Sequence, residues 1–131
     1  MTVQENLDLV RRGYAAFSAG DAEGLMAVFA PDIAHIVPGS GPISGAHKGV
    51  EAVLALYGQL AERSNGTMRV DLETVTSDGG DRVVAIHTAT AERNGATITQ
   101  RDALLFTISD GKVVEIQDFM EDIDANDAFW S

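Results

Sequence analysis

The sequence predicts an α+β fold: a cone-shaped, curled antiparallel sheet, mixed at its edge, wraps over three N-terminal helices and encloses one interior pocket. Three observations carry this. Apolar residues recur at helical spacing up to about residue 61, and from Thr67 onward the period changes to two. The dipeptides Asn94-Gly95 and Asp110-Gly111 then sit between alternating runs, where such pairs make tight hairpin turns. Helices first and a strand meander after imply helices packed on one face of the sheet. The 131 residues fit one domain, 1–131, which buries roughly 65–70% of its unfolded surface.

The elements follow in order. Val3, Leu7, Val10, Tyr14 and Phe17 form one apolar stripe on a first helix. Gly20 should end that helix and Asp21 should cap the next. Leu25, Val28 and Phe29 are the stripe of a short second helix that Pro31 stops. Ile33, His35 and Val37 alternate as a short strand. Pro38 to Gly49, rich in glycine, reads as a loop. Val50, Val53, Leu54, Tyr57, Leu60 and Ala61 mark a third helix closed by Asn65-Gly66. Met68, Val70 and Leu72 begin the strands, and Arg82–Glu92, Ala96–Ile108 and Val113–Met120 continue them. Asp122–Ser131 adds a final helical turn, with Phe129 and Trp130 docking on the body.

Composition bounds the function. The apolar fraction of 45% and charged fraction of 22% suit a globular protein. With no cysteine, disulfides and thiolate metal sites are excluded. No apolar run reaches the length of a membrane span or signal core, so the expected compartment is the cytoplasm. The formal charge of -11, from 20 acidic and 9 basic residues, repels phosphate backbones and anionic lipid. Nucleic acid and membranes are therefore disfavoured as partners, and the charge serves mainly solubility.

Val10-Arg11-Arg12-Gly13-Tyr14-Ala15-Ala16-Phe17-Ser18-Ala19-Gly20-Asp21, Leu25 to Phe29, Pro31-Asp32 and Pro38 through Gly45 together resemble the ketosteroid-isomerase-like group of the nuclear-transport-factor-2-like superfamily. Asp110-Gly111-Lys112-Val113-Val114-Glu115 with Asp118 resembles its SnoaL-like cyclases and limonene epoxide hydrolases. The resemblance implies the cone fold and a small-molecule site. The isomerase residues do not carry over: its phenol falls at Gly13, its base at Val37 and its protonated acid at Leu104. Typical steroid Δ-isomerase chemistry is thus not expected. The last-strand aspartate of the hydrolases and cyclases matches Asp118, whereas the hydrolase arginine and second aspartate fall near Thr88 and Thr90.

The strand pattern proposes a constellation. A three-residue loop of Ser109, Asp110 and Gly111 pairs Phe106 with Val114, Leu104 with Ile116 and Asp102 with Asp118, burying one face. Directly opposed carboxyls in an apolar setting do not both ionise easily, and one should have a raised pKa, as general acid/base work needs. A two-residue Asn94-Gly95 turn puts His87 opposite Asp102, with Ala85, Ala89 and Ala91 beside it; a three-residue loop would instead turn Thr88 and Thr90 inward.

Asp118, Asp102 and His87 are accordingly the catalytic candidates. Tyr14, His35, Val37, Tyr57, Leu104, Phe106 and Ile116 are the substrate-lining candidates. Each has a plainer alternative: a rim carboxylate for Asp118, a salt bridge for Asp102, a structural histidine for His87, core or rim for His35, and packing for Tyr14 and Tyr57. His47 is expected to be exposed. His35, His87, Asp102 and Asp118 are ligand types for zinc or iron, but they lack a paired motif, so neither metal nor cofactor is expected. The reading is a cofactor-independent acid/base isomerase, cyclase or epoxide-hydrolase-like enzyme acting on a small apolar, oxygenated ligand. The alternative is a non-catalytic binding domain or a homodimer through the outer sheet face bearing Thr97, Thr99, Arg101, Ala103, Leu105 and Thr107.

Overall fold

The computed structural model describes residues 1–131, with four helices and a six-stranded sheet. Helix α1 (Val3–Ala19) starts at a reciprocal cap, in which the Glu5 amide donates to Thr2 Oγ1 at 3.1 Å and the Thr2 amide to Glu5 Oε1 at 3.0 Å. Gly20, left-handed at φ 65°, ends it, and Asp21 caps α2 (Ala22–Val28) through the Gly24 amide. The buried face of α1 is broader than the expected stripe. Asn6 and Leu9 are buried, while Val3 in the first turn is exposed.

Strand β1 (Phe29–Val37) begins directly after α2, so Phe29 is the first strand residue and Pro31 lies within the strand rather than stopping the helix. The glycine-rich segment is not loop throughout. Gly45–Lys48 forms β2, an edge strand paired antiparallel to β1. Backbone pairing to β1 is available there whatever the side chains, so composition alone misses it. His47 is half-buried, its Nε2 lying 2.9 Å from the Ile43 carbonyl. Helix α3 (Val50–Arg63) follows, then β3 (Arg69–Ser77), β4 (Arg82–Arg93), β5 (Ala96–Ser109), β6 (Lys112–Met120) and α4 (Ile123–Trp130). The tail thus forms a helix of eight residues, with Trp130 buried.

The strand order is β2-β1-β6-β5-β4-β3. All pairings are antiparallel except β1 with β6, which makes the sheet mixed, and it does not close on itself. Helix α1 packs against β3 and β4, and α3 against β1 and β2. No helix is long and apolar enough to cross a membrane.

The two hairpins illustrate what alternation can and cannot fix. At Asn94-Gly95 both residues have positive φ, 51° and 81°, the two-residue turn that pairs His87 with Asp102 and Ala85 with Leu104 as expected. At Asp110-Gly111 both are also left-handed, at 50° and 74°, so the turn has two residues and not three. A bulge between Thr107 and Ile108 then leaves Val114 unpaired on β6 and restores the parity of the buried face. The result pairs Phe106 with Ile116, Leu104 with Asp118 and Asp102 with Met120, two residues away from the expected register. Burial of one face fixes the register only modulo two, which is why the faces of Asp102, Leu104, Phe106, Ile116 and Asp118 were right and their partners wrong. Val114, expected inward, is the bulged residue, and Val113 is buried in its stead.

Two apolar clusters fill the concave side. The first holds Leu9, Val10, Leu25, Val28, Phe29, Ile33, Val53, Val83, Phe106 and Ile116 among others. The second holds Val37, Ile43, Leu56, Leu60, Ala91 and Trp130. Beside the second, the Asp127 carboxylate of α4 ties down the turn after β1. It accepts from the Ser40 amide at 2.8 Å and from Ser44 Oγ at 3.3 Å. The Ser40 amide above all holds this carboxyl below its ordinary value. Gly39, at φ 102°, allows that approach, since a Cβ there would stand 2.4 Å from Asp127 Oδ1.

Candidate functional site

Between the two apolar clusters runs a belt of polar side chains, one from each of four neighbouring strands. On β1, His35 lies between Ile33 of the first cluster and Val37 of the second. On β6, Asp118 follows Ile116 by one inward step; on β5, Asp102 precedes Leu104 by one; on β4, His87 follows Ala85. With β1, β6, β5 and β4 adjacent, the row reads His35, Asp118, Asp102, His87. The carboxyls occupy the middle and each has a histidine on its outer side.

A tyrosine from a helix completes each half. His35 Nε2 stands 2.8 Å from Asp118 Oδ1, and its Nδ1 2.9 Å from the Tyr57 hydroxyl on α3. His87 Nδ1 stands 2.6 Å from the Tyr14 hydroxyl on α1, and its Nε2 3.5 Å from Asp102 Oδ2. At 3.5 Å the second histidine–carboxylate contact is loose, and the first is a proper hydrogen bond. Burial pushes both phenols far up, with the nearby Asp118 carboxylate adding to the effect in each. Both therefore keep their proton and donate it to Nδ1. That sets the tautomer of neutral His35 and His87, with hydrogen on Nε2 pointing at the carboxylates.

This geometry corrects the expected pairing of the acids. Asp102 and Asp118 do share the inward face, but they are diagonal neighbours, about 7–8 Å apart on such a ladder, and each has its own histidine. The premise of two carboxyls pressed together, from which a raised pKa was expected, gives way to two separate Tyr-His-Asp chains. His35 belongs to the centre of the row through Asp118. Tyr14 and Tyr57 do pack, each edge-on to its histidine, and each also makes a polar contact. No three His, Asp or Glu side chains gather as a metal cradle, since each histidine meets a single carboxylate.

The belt opens on a cavity of about 120 Å³ with a mainly apolar lining. All ten sequence-derived site residues, Asp118, Asp102, His87, Tyr14, His35, Val37, Tyr57, Leu104, Phe106 and Ile116, line it. So do Gln100, Asn126 and Trp130, which the sequence reading did not single out as site residues. A signal for the last two existed: Asn126 and Trp130 are four apart, on one face of the terminal helix. One oxygen of Asp102, Oδ1, is buried without a partner, and so is the amide nitrogen of Asn126.

Helices over an open mixed sheet around such a lined cavity define the NTF2-like class of small-molecule-binding folds. Within it, residues 10–116 match the SnoaL-like domain, and the chain belongs to that family. An uncharacterised protein of Mycobacterium tuberculosis is 40% identical over 131 residues, all of both chains. Bal32a, from a soil-derived mobile gene cassette, is 37% identical with a TM-score of 0.94 over 98% of each chain. TerC, co-crystallised with polyporic acid, is 25% identical with a TM-score of 0.84, covering 96% of this chain and 98% of its own.

Proposed function

We infer that the cavity is a ligand pocket and that the protein is a cofactor-independent acid/base enzyme acting on a small, mainly apolar, oxygenated substrate. The observation that carries this is the row of two Tyr-His-Asp chains set between apolar layers at the cavity wall. In this reading Asp118 is the acid/base. His35 engages only Oδ1 of its carboxylate, leaving the second oxygen to take a proton from a carbon next to a carbonyl and to return it elsewhere on the substrate. The Tyr57–His35 pair holds that carboxylate in place and steadies its charge. On the other side, the free oxygen Oδ1 of Asp102 accepts a substrate hydroxyl from which a proton leaves, while His87 and Tyr14 hold that carboxylate in place. Isomerisation, cyclisation and epoxide opening all draw on these two functions. TerC, crystallised with polyporic acid, supports the use of this fold for small oxygenated ligands.

Size narrows the substrate. A cavity of roughly 150 Å³ takes one benzene ring, so about 120 Å³ suits a single ring, and a polycyclic compound would have to extend out of the open end. The test is exchange of protons next to the carbonyl in a panel of cyclic ketones in D₂O, followed by proton NMR. The wild-type protein is expected to catalyse exchange in part of the panel, and Asp118→Asn to slow it by about 10²–10⁴-fold with an unchanged melting temperature. Equal exchange by the variant overturns the role given to Asp118.

The outer face supports a second element, a homodimer. Phe119 is 54% exposed there, opposite half-buried Ala103 and next to Leu105, while Thr97, Thr99 and Arg101 continue the face as exposed polar positions. An exposed phenylalanine among small apolar residues and threonines suits a flat contact between two copies. Sedimentation that depends on protein concentration supports this reading, and a monomer at every concentration removes it.

A further inference from the structure

Helix α4 contributes Asn126 and Trp130 to the cavity lining, and its polar group there is the Asn126 amide. Asn126 is 8% exposed. Its orientation is settled by chemistry, because the Trp130 indole nitrogen, 3.1 Å away, can only donate. The atom facing it must therefore be Oδ1, which leaves the NH₂ as the buried group without a partner. Asn126 is placed by its own backbone amide, which donates to the Asp122 carbonyl at 3.1 Å. The same carbonyl accepts from Gln100 Nε2 at 2.9 Å. Gln100 is one inward step, about 7 Å, along β5 from Asp102. Asn126 and Asp102 both line the cavity, so a buried donor and a buried acceptor, Asp102 Oδ1, belong to one lining, and neither has a protein partner.

Charge completes the picture. The cavity lining contains two carboxylates and no lysine or arginine. An anionic ligand would bury its charge beside Asp102 and Asp118 with no fixed cation to offset the lost hydration.

We propose that Asn126 is a specificity-determining residue: its amide receives a carbonyl oxygen on one edge of an uncharged ring whose opposite edge presents a hydroxyl to Asp102 Oδ1. The inference rests on the reading of the cavity as a ligand pocket and adds to it the substrate class, a neutral hydroxy-carbonyl ring. The carbonyl at Asn126 is a recognition handle remote from the reacting edge at the belt. Trp130, by holding Oδ1, is a positioning residue for that handle.

The test uses binding rather than turnover, read from the fluorescence of Trp130, the only tryptophan and part of the cavity wall. The probes are 4-hydroxycyclohexanone, cyclohexanone, cyclohexanol and cyclohexanecarboxylate. The wild-type protein should bind 4-hydroxycyclohexanone about tenfold tighter than cyclohexanol, the loss expected from one buried hydrogen bond, and the carboxylate most weakly. In Asn126→Asp, which keeps an acceptor for Trp130 and removes the donor, the preference for the ketone over cyclohexanol should vanish. Asn126→Leu, of similar size and without charge, should do the same and serves if the aspartate variant does not fold. A ketone preference that survives in the folded variants, or carboxylate binding that equals that of the hydroxyketone, overturns the proposal. If no probe binds the wild-type protein, the ligand-pocket reading falls and takes this one with it. If the selectivity pattern is as stated but Asp118→Asn leaves proton exchange unchanged, only the catalytic reading falls.

Discussion

Raising the pH above 10 tests the electrostatics of the belt directly, because Tyr14 and Tyr57 are the only tyrosines in the chain. Both phenols are held far above their ordinary value of 10.0, chiefly by burial and then by Asp118. In the unfolded chain they ionise near 10, whereas in the folded protein they do not. A folded-state pKa raised in this way leaves stability untouched below pH 10 and removes it as pH rises, since only the unfolded chain gains from losing the protons. Each phenol contributes about 1.4 kcal/mol per pH unit above 10. While both stay protonated in the folded chain, the pair together removes about 3 kcal/mol for each pH unit above 10, a large share of the whole stability of many domains. The expected outcome is that tyrosinate absorbance at 295 nm stays flat past pH 10.5 and then rises together with the loss of circular dichroism. Tyr14→Phe and Tyr57→Phe should each halve the slope of stability against pH in this range. Tyrosinate absorbance appearing near pH 10 in a folded protein would refute the buried hydrogen-bonded phenols, and with them the tautomers assigned to His35 and His87.

The remaining predictions concern packing and association. Gly13, inside α1 and at the cavity wall, has room for a methyl group, since a Cβ there would meet Val28 Cγ1 at 3.6 Å. Gly13→Ala should therefore raise stability in urea unfolding by about 0.5–1 kcal/mol through helix propensity; a loss of stability would show that this space is not there. Phe119→Glu places a charge at the centre of the outer apolar patch and should convert a dimer to monomer in sedimentation without lowering the melting temperature. A dimer that persists in Phe119→Glu places the contact elsewhere.

Much of the belt was legible because alternation assigns faces. Asp102 and Asp118 were placed inward from the apolar residues beside them, and Ala85, His87, Ala89 and Ala91 followed once the Asn94-Gly95 turn proved to have two residues rather than three. The Leu104–Asp118 pairing was not legible. It depends on a bulge, and the backbone pays for an extra residue on β6 in return for keeping Ile116 and Val113 buried, a balance no single residue announces. His35 shows the same limit. Its alternation with Ile33 and Val37 said inward, but its partner Asp118 lies 83 residues away, on a strand that runs parallel to its own.

The amino-acid order alone settled the α+β class, the hairpin positions and the absence of thiol chemistry, because these follow from local spacing and residue type. Only the folded chain decided which acid meets which histidine, that two tyrosines from different helices cap them, and that the Trp130 indole holds the Asn126 amide oxygen. Those contacts join segments far apart in sequence. They are selected by how helices and sheet close over a shared interior, and local periodicity holds no information about that closure.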